Sequence, residues 1–177
     1  MNVAIVGATG YGGIQAVNLL KNNKNYKITY LGGNKSSGSK WNRNFPFIYL
    51  DSDPLIEDIS CENIAKVADV ALLCLPNGIA STITRGLLEK GVKVIDLSAD
   101  YRYKSLDQWK KVYSKEASIY KRDDDDLCKE SIYGLPEINK DLISKGRLIS
   151  CPGCYPTSAL IPLIPLLSQG IIDYEGI

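Results

Sequence analysis

Histidine is absent from the 177 residues. A reaction that needs a general base near neutral pH must take it from another residue type or from polypeptide outside this chain. No apolar run approaches the roughly 20 residues of a membrane span, so no membrane partner is expected. No basic, apolar and cleavable segments stand in series at the start. Met1 leads directly into the apolar run Val3-Ala4-Ile5-Val6, and a cytoplasmic location is expected. Basic clusters interleaved with aromatics are missing and the net charge is +1, so no nucleic-acid partner is expected. The five cysteines (Cys61, Cys74, Cys128, Cys151 and Cys154) are an odd number in a chain of this size. They point away from a disulfide scaffold and toward a reducing compartment. With no histidine and no second Cys-x-x-Cys pair, no metal site is expected.

What is present is an ordinary soluble composition, 45% hydrophobic and 23% charged. The run Val3 to Val6 is followed at once by Gly7-Ala8-Thr9-Gly10-Tyr11-Gly12-Gly13. Ile14, Ala16, Val17, Leu19 and Leu20 then repeat at helical spacing. Ile28 to Leu31 reads as a second strand. The polar stretch Asn34 to Asn44 reads as a loop. Val70 to Leu75 is a continuous apolar run, as in a parallel strand buried on both faces. Pro76-Asn77-Gly78 turns into a helix through about Lys90, and Val92 to Leu97 is another strand. Strands alternating with helices predict a Rossmann-like, doubly wound parallel α/β sheet. Lys121 to Asp126 lacks the ligand spacing and turn glycine of a calcium loop and is expected to be a solvated loop. Arg147-Leu148-Ile149 reads as a short strand. A helix is expected from Thr157, kinked or shortened by Pro162 and Pro165.

Gly7, Gly10 and Gly13 are spaced GxxGxxG between a strand and a helix. Gly7 permits the sharp turn and Gly10 lets a pyrophosphate approach, with the helix amides facing its charge. The other reading is a tight turn with no ligand. At the end of the second strand, where NAD-binding folds carry an acid for the ribose hydroxyl, Gly32 to Lys40 has none. It has Ser36, Ser37, Lys35 and Lys40, which suit a 2′-phosphate, so NADP is the expected cofactor. A flexible surface loop is the alternative.

Cys154 follows Pro152-Gly153 and precedes the last expected helix. A helix N-terminus favours a thiolate and can stabilise an oxyanion. The bland reading of Cys151 and Cys154 is two small residues in a turn. Cys74, in a buried strand, is expected to be inert packing.

Four stretches occur in order: Gly7 to Gly13; Val94-Ile95-Asp96-Leu97-Ser98-Ala99-Asp100-Tyr101-Arg102; Tyr133-Gly134-Leu135-Pro136-Glu137; and Pro152-Gly153-Cys154-Tyr155-Pro156-Thr157. Together they closely resemble the N-acetyl-gamma-glutamyl-phosphate reductase family of arginine biosynthesis, from Met1 to the end of the chain. The resemblance implies that Cys154 is the nucleophile. It would attack the acyl phosphate, expel phosphate and form a thioester that NADPH reduces to N-acetylglutamate semialdehyde. Thr9, Gly10, Tyr11 and Gly12 match the family's dinucleotide loop. Gly7, Gly13, Leu75 and Pro76 are expected to line the same cofactor site. Ser98 and Arg102, beyond a strand's carboxyl end, are candidate substrate contacts or structural residues. Glu137 is either a substrate contact or a charge at a helix N-terminus.

Members of that family are much longer. Their second half carries a catalytic histidine, the rest of the substrate domain and the dimer interface. The chain is therefore expected to be a fragment, with an NADP-binding domain over 1–150. The start of an incomplete α+β catalytic and dimerisation domain is expected over 151–177, leaving Leu160, Ile161, Leu163 and Ile164 uncovered. A homo-oligomer is expected at full length. Asn77 stands where the family commonly has histidine, and Cys151 where it commonly has asparagine. The latter suggests a Cys151–Cys154 pairing under oxidation. Two other functions stay open: a related acyl-phosphate reductase of the aspartate-semialdehyde dehydrogenase type, and a non-catalytic nucleotide-binding module.

Overall fold

The computed structural model describes residues 1–175. The strands are β1 (Asn2–Val6), β2 (Lys27–Gly32), β3 (Val70–Leu73), β4 (Lys93–Asp96), β5 (Ile132–Tyr133) and β6 (Leu148–Ser150). Among the described residues they form one all-parallel sheet in the order β2-β1-β3-β4-β6-β5. The helices are α1 (Tyr11–Leu20), α2 (Trp41–Asn44), α3 (Cys61–Val67), α4 (Ser81–Glu89), α5 (Leu106–Val112), α6 (Ser114–Ile119), α7 (Asp125–Glu130), α8 (Pro136–Lys145) and α9 (Cys154–Ser168). None is long and apolar enough to cross a membrane.

The pleat explains why β1 has no polar position after Asn2. Val3 and Ile5 point to one face, against Val17, Leu31, Trp41 and Ile56. Ala4 and Val6 point to the other, against Ile64, Leu73 and Leu87. Successive side chains alternate across a sheet, so a strand covered on both faces must be apolar throughout. The doubly wound expectation holds. The strand order reverses between β1 and β3, which makes the carboxyl ends of these two strands the switch point where such sheets bind ligands.

Three local expectations change. The stretch from Asn34 to Asn44 is only partly loop. It contains a 3-10 turn, Asn34–Ser36, and α2, because Trp41 is fully buried and donates through Nε1 to the Ile48 carbonyl at 2.7 Å. The charged stretch from Lys121 to Asp126 turns inward, since Arg122 and Asp124 are buried side chains. Thermodynamics explains the reversal: a buried cation is tolerated where carboxylates and an aromatic face enclose it. Finally, α9 starts at Cys154 and runs through both prolines. The carbonyls that lose a partner, those of Ser158 and Ile161, sit on exposed residues where water can replace the bond.

None of the residues of α9 is buried. An apolar groove of about 380 Å³ runs between α8 and α9, lined by Leu135, Ile138, Leu160, Ile161, Ile164 and Pro165.

Candidate active site

The glycine turn is built by close backbone contact. Gly7 has φ of +81°, and a Cβ there would stand 2.3 Å from the Cys74 carbonyl oxygen. Its amide and that of Ala8 both donate to the Gly32 carbonyl at 2.9 Å, tying the turn to the end of β2. Gly13 is equally constrained: a Cβ would lie 2.2 Å from the Gly7 carbonyl oxygen. Gly10 is different. The nearest atom to a Cβ there is 3.5 Å away and φ is −81°, so the fold itself does not demand glycine at this position. Gly10 is the N-cap of α1, and no side chain caps the helix and no acid lies in its first turn. An uncapped helix start behind an open glycine fits a phosphate-bearing ligand.

The other predicted nucleotide residues fall along the same edge. Thr9 packs against the end of β2, its Cγ2 3.3 Å from where a Gly33 Cβ would be. Tyr11 is 95% exposed and Gly12 is open beside Cys74 and Leu97. Ser36 and Ser37 are half-buried and Lys35 exposed beyond β2. Lys40 is engaged elsewhere, its ammonium donating to the Asp53 carbonyl at 2.9 Å. Cys74 lies one residue past β3, and Leu75 and Pro76 continue from it at the switch point. Burial pushes the Cys74 thiol up to about 11, which suits packing rather than reaction.

The segment after β4 is a hydrogen-bonded hub. Asp96, fully buried, accepts from the Ser98 amide at 2.9 Å and from the Ser98 hydroxyl at 2.8 Å. Burial pushes its carboxyl up to about 7 despite those bonds. Ser98 is thus engaged in holding its own turn. Arg102 donates through Nε to the Cys151 carbonyl at 2.9 Å and through Nη2 to the Leu97 carbonyl at 3.2 Å. Its Nη1 comes within 3.2 Å of where a Gly153 Cβ would be. Arg102 therefore joins the turn after β4 to the turn that carries Cys154.

Cys154 is the first residue of α9 and is exposed, with Gly153 as an N-cap that offers no side chain. Cys151 is half-buried, and burial followed by the Asp96 charge pushes its thiol up to about 11. Both are free thiols. Tyr133 to Glu137 lies next to this turn. The Gly134 amide donates to the Ser150 carbonyl at 2.8 Å, and a Cβ on Gly134 would meet Ile149 at 2.8 Å. Glu137 stands in the first turn of α8. Among the described residues no group of three or more histidine, cysteine or acidic side chains is arranged to hold a metal.

Sequence reasoning passed over Asp100, Arg122 and Asp124. Asp100 is fully buried and accepts from the Gly78 amide at 2.6 Å and the Ser81 amide at 2.9 Å. Arg122 reaches the Asp100 carbonyl through Nη1 at 2.7 Å, pairs with Asp124 at 3.0 Å, and lies over the Trp109 ring at 4.4 Å. Its place directly after a strand, in the run Leu97-Ser98-Ala99-Asp100, was the one legible hint of the first. The run of charges around Arg122 gave no hint of the other two.

Comparison with known proteins agrees with this geometry. Residues 2–146 match the family model described as "Semialdehyde dehydrogenase, NAD binding domain". N-acetyl-gamma-glutamyl-phosphate reductase from Prochlorococcus marinus strain MIT 9215 is 82% identical over 177 residues, all of this chain and 50% of that protein. The chain thus spans about half the length of the curated relatives it matches. Among solved structures, an aspartate semialdehyde dehydrogenase II from Vibrio cholerae, complexed with ASA, is similar with a TM-score of 0.64 at 20% identity, over 94% of this chain and 46% of that one. The aspartate semialdehyde dehydrogenase with NADP from Candida albicans gives 0.62 at 19% identity, over 95% and 47%. At such identities the two structures establish the fold, while the family model spans most of the chain. This chain belongs to the semialdehyde dehydrogenase family and contains its NAD-binding domain.

Proposed function

We propose that the chain is the cofactor-binding and nucleophile-bearing part of an NADP-dependent reductase acting on N-acetylglutamyl phosphate in arginine biosynthesis. The observation that carries this reading is the placing of Cys154. It is an exposed thiol at the start of α9, joined through Arg102 to the turn after β4 at the carboxyl end of the sheet. The similarity to proteins named N-acetyl-gamma-glutamyl-phosphate reductase favours this substrate over the shorter one of the aspartate-semialdehyde dehydrogenase type. An exposed cysteine set at a helix start also speaks for an enzyme over a non-catalytic nucleotide module.

In this reading the uncapped start of α1 holds the pyrophosphate, with Thr9, Gly10, Tyr11 and Gly12 around it. Leu75 and Pro76 border the nicotinamide half, and Ser36, Ser37 and Lys35 face the 2′-phosphate. The sulfur of Cys154 forms a bond to the acyl carbon. The carbon–oxygen bond to phosphate breaks, and phosphate leaves with the electron pair. NADPH, when bound, supplies the hydride that converts the thioester to the aldehyde and returns the thiolate. Arg102 holds the Cys154 turn in register and Ser98 holds the turn that Arg102 grips. The base that takes the thiol proton is not a histidine of this chain, which has none. The division into a nucleotide domain over 1–150 and the start of a catalytic domain at 151 belongs to the same proposal. So do a cytoplasmic location and a homo-oligomer of the full-length protein.

The test is phosphate-dependent reduction of NADP+ with N-acetylglutamate semialdehyde by the full-length protein, beside Cys154→Ser. The substitution should reduce turnover on the order of 10⁴-fold or more and leave NADPH affinity within about twofold, since it removes no nucleotide contact. Turnover that survives the substitution rules out the thioester route. Absence of any phosphate-dependent turnover in the unsubstituted protein rules out the substrate assignment.

A further inference from the structure

We propose that Asp100 is a positioning residue for the nicotinamide end of the dinucleotide, an inference that rests on the nucleotide reading above. The turn between β3 and α4 begins at the switch point, and α4 has no cap of its own: its N-cap is Ala80. The cap comes instead from the next loop. The Asp100 carboxylate accepts from Gly78 at 2.6 Å and from Ser81 at 2.9 Å, so one side chain binds both ends of the turn. The lacing also runs the other way, since Asn77 Oδ1 accepts from the Ala99 amide at 2.9 Å.

The brace is anchored from behind. Arg122 donates to the Asp100 carbonyl at 2.7 Å, and its Nη1 lies 3.9 Å from the Asp100 carboxylate. Arg122 is in turn held by Asp124, which also accepts from the Tyr101 hydroxyl at 2.7 Å. The turn cannot yield outward either. Gly78 has φ of +84°, and the Tyr120 ring occupies the space where a Cβ would be, 2.1 Å away. A turn fixed on three sides is more than a helix start requires, because an ordinary N-cap satisfies a helix with a single side-chain bond.

The strand order explains which part of the ligand depends on it. With the pyrophosphate at α1, the adenosine half lies toward β2 and the nicotinamide half toward β3 and β4. The β3–α4 turn therefore borders the nicotinamide half alone. Asp100 is buried beneath it and acts only through the backbone it holds.

The experiment compares two ligands on the full-length protein by titration calorimetry: NADPH, and 2′-phospho-ADP-ribose, which lacks the nicotinamide. Asp100→Asn keeps the shape but turns a donor toward one of the two amides. NADPH affinity should fall about tenfold, within what losing a hydrogen bond to a charged group produces. Affinity for 2′-phospho-ADP-ribose should stay within about twofold. Asn77→Ala removes the reciprocal bond without touching a buried charge, should show the same selective loss, and decides the matter alone if Asp100→Asn does not fold. NADPH affinity unchanged in folded variants, or equal loss for both ligands, overturns the positioning role. Failure of the unsubstituted protein to bind either ligand overturns the nucleotide reading itself and the inference with it.

Discussion

Arg102 bridges two carbonyls that belong to different turns, Cys151 at 2.9 Å and Leu97 at 3.2 Å. It makes no ion pair with an acid among the described residues. A guanidinium used this way is a geometric clamp, because its fixed fork reaches two acceptors at once, whereas an ammonium is a single point. Arg102→Lys should lower kcat by about tenfold or more while leaving NADPH affinity nearly unchanged. Steady-state kinetics beside nucleotide titration checks this, and equal losses in both would mean that Arg102 supports the nucleotide site rather than the cysteine turn.

Gly7 and Gly10 should respond to substitution in opposite ways. Gly7→Ala combines a strained φ with a Cβ 2.3 Å from the Cys74 carbonyl oxygen, and should cost roughly 2–4 kcal/mol of stability. Gly10→Ala meets nothing closer than 3.5 Å and should leave the thermal midpoint within about 2 °C. It should still weaken NADPH, because the added carbon takes the space a pyrophosphate needs, and Gly10→Val should weaken it further. Thermal melts with and without NADPH separate the two cases. A Gly10→Ala protein that binds NADPH normally would remove Gly10 from the site.

Asp96 makes stability depend on pH. Burial pushes its carboxyl up to about 7, against about 4 in an unfolded chain. Between those values the folded state keeps a proton that the unfolded state has released, so stability falls as pH rises from about 4 to about 7 and then levels off. The contribution is on the order of 2–4 kcal/mol. Asp96→Asn offers the Ser98 amide the same acceptor and carries no charge, so its urea midpoint should exceed that of the unsubstituted protein at about pH 8 and match it near pH 4. Parallel midpoint–pH curves for the two proteins would contradict this origin.

Arg122 is a buried cation serving two carboxylates, with its side chain only 2% exposed. Arg122→Met preserves much of the stem but leaves Asp100 and Asp124 uncompensated, which should cost roughly 3–5 kcal/mol. The loss should shrink at low pH, since burial already raises the Asp100 carboxyl and its protonation removes the stranded charge. Urea unfolding at two pH values measures it, and a pH-independent loss would point to packing alone.

Much of this protein was legible along the chain because the relevant signals are local. Val3 to Val6 and Val70 to Leu75 read as strands, the latter as one buried on both faces, since a strand covered on both faces has no polar alternation to hide. The glycine turn and the residues around Cys154 read as strand–turn–helix junctions because backbone conformation there depends on a few adjacent residues. What needed the fold was every relationship between distant segments. The stretch around Arg122 looks solvated in one dimension, and only the approach of Asp100, Tyr101 and Trp109 makes burial of its charge tolerable. Arg102 could be placed beyond a strand end, but its grip on Cys151, 49 residues away, could not be read from spacing. Local sequence thus determined five of the six strands described, all but the two-residue β5, together with the glycine turn and the cysteine beside the start of the last helix. Tertiary structure decided which polar side chains are engaged and which are free, because a hydrogen-bond partner is chosen by proximity in space.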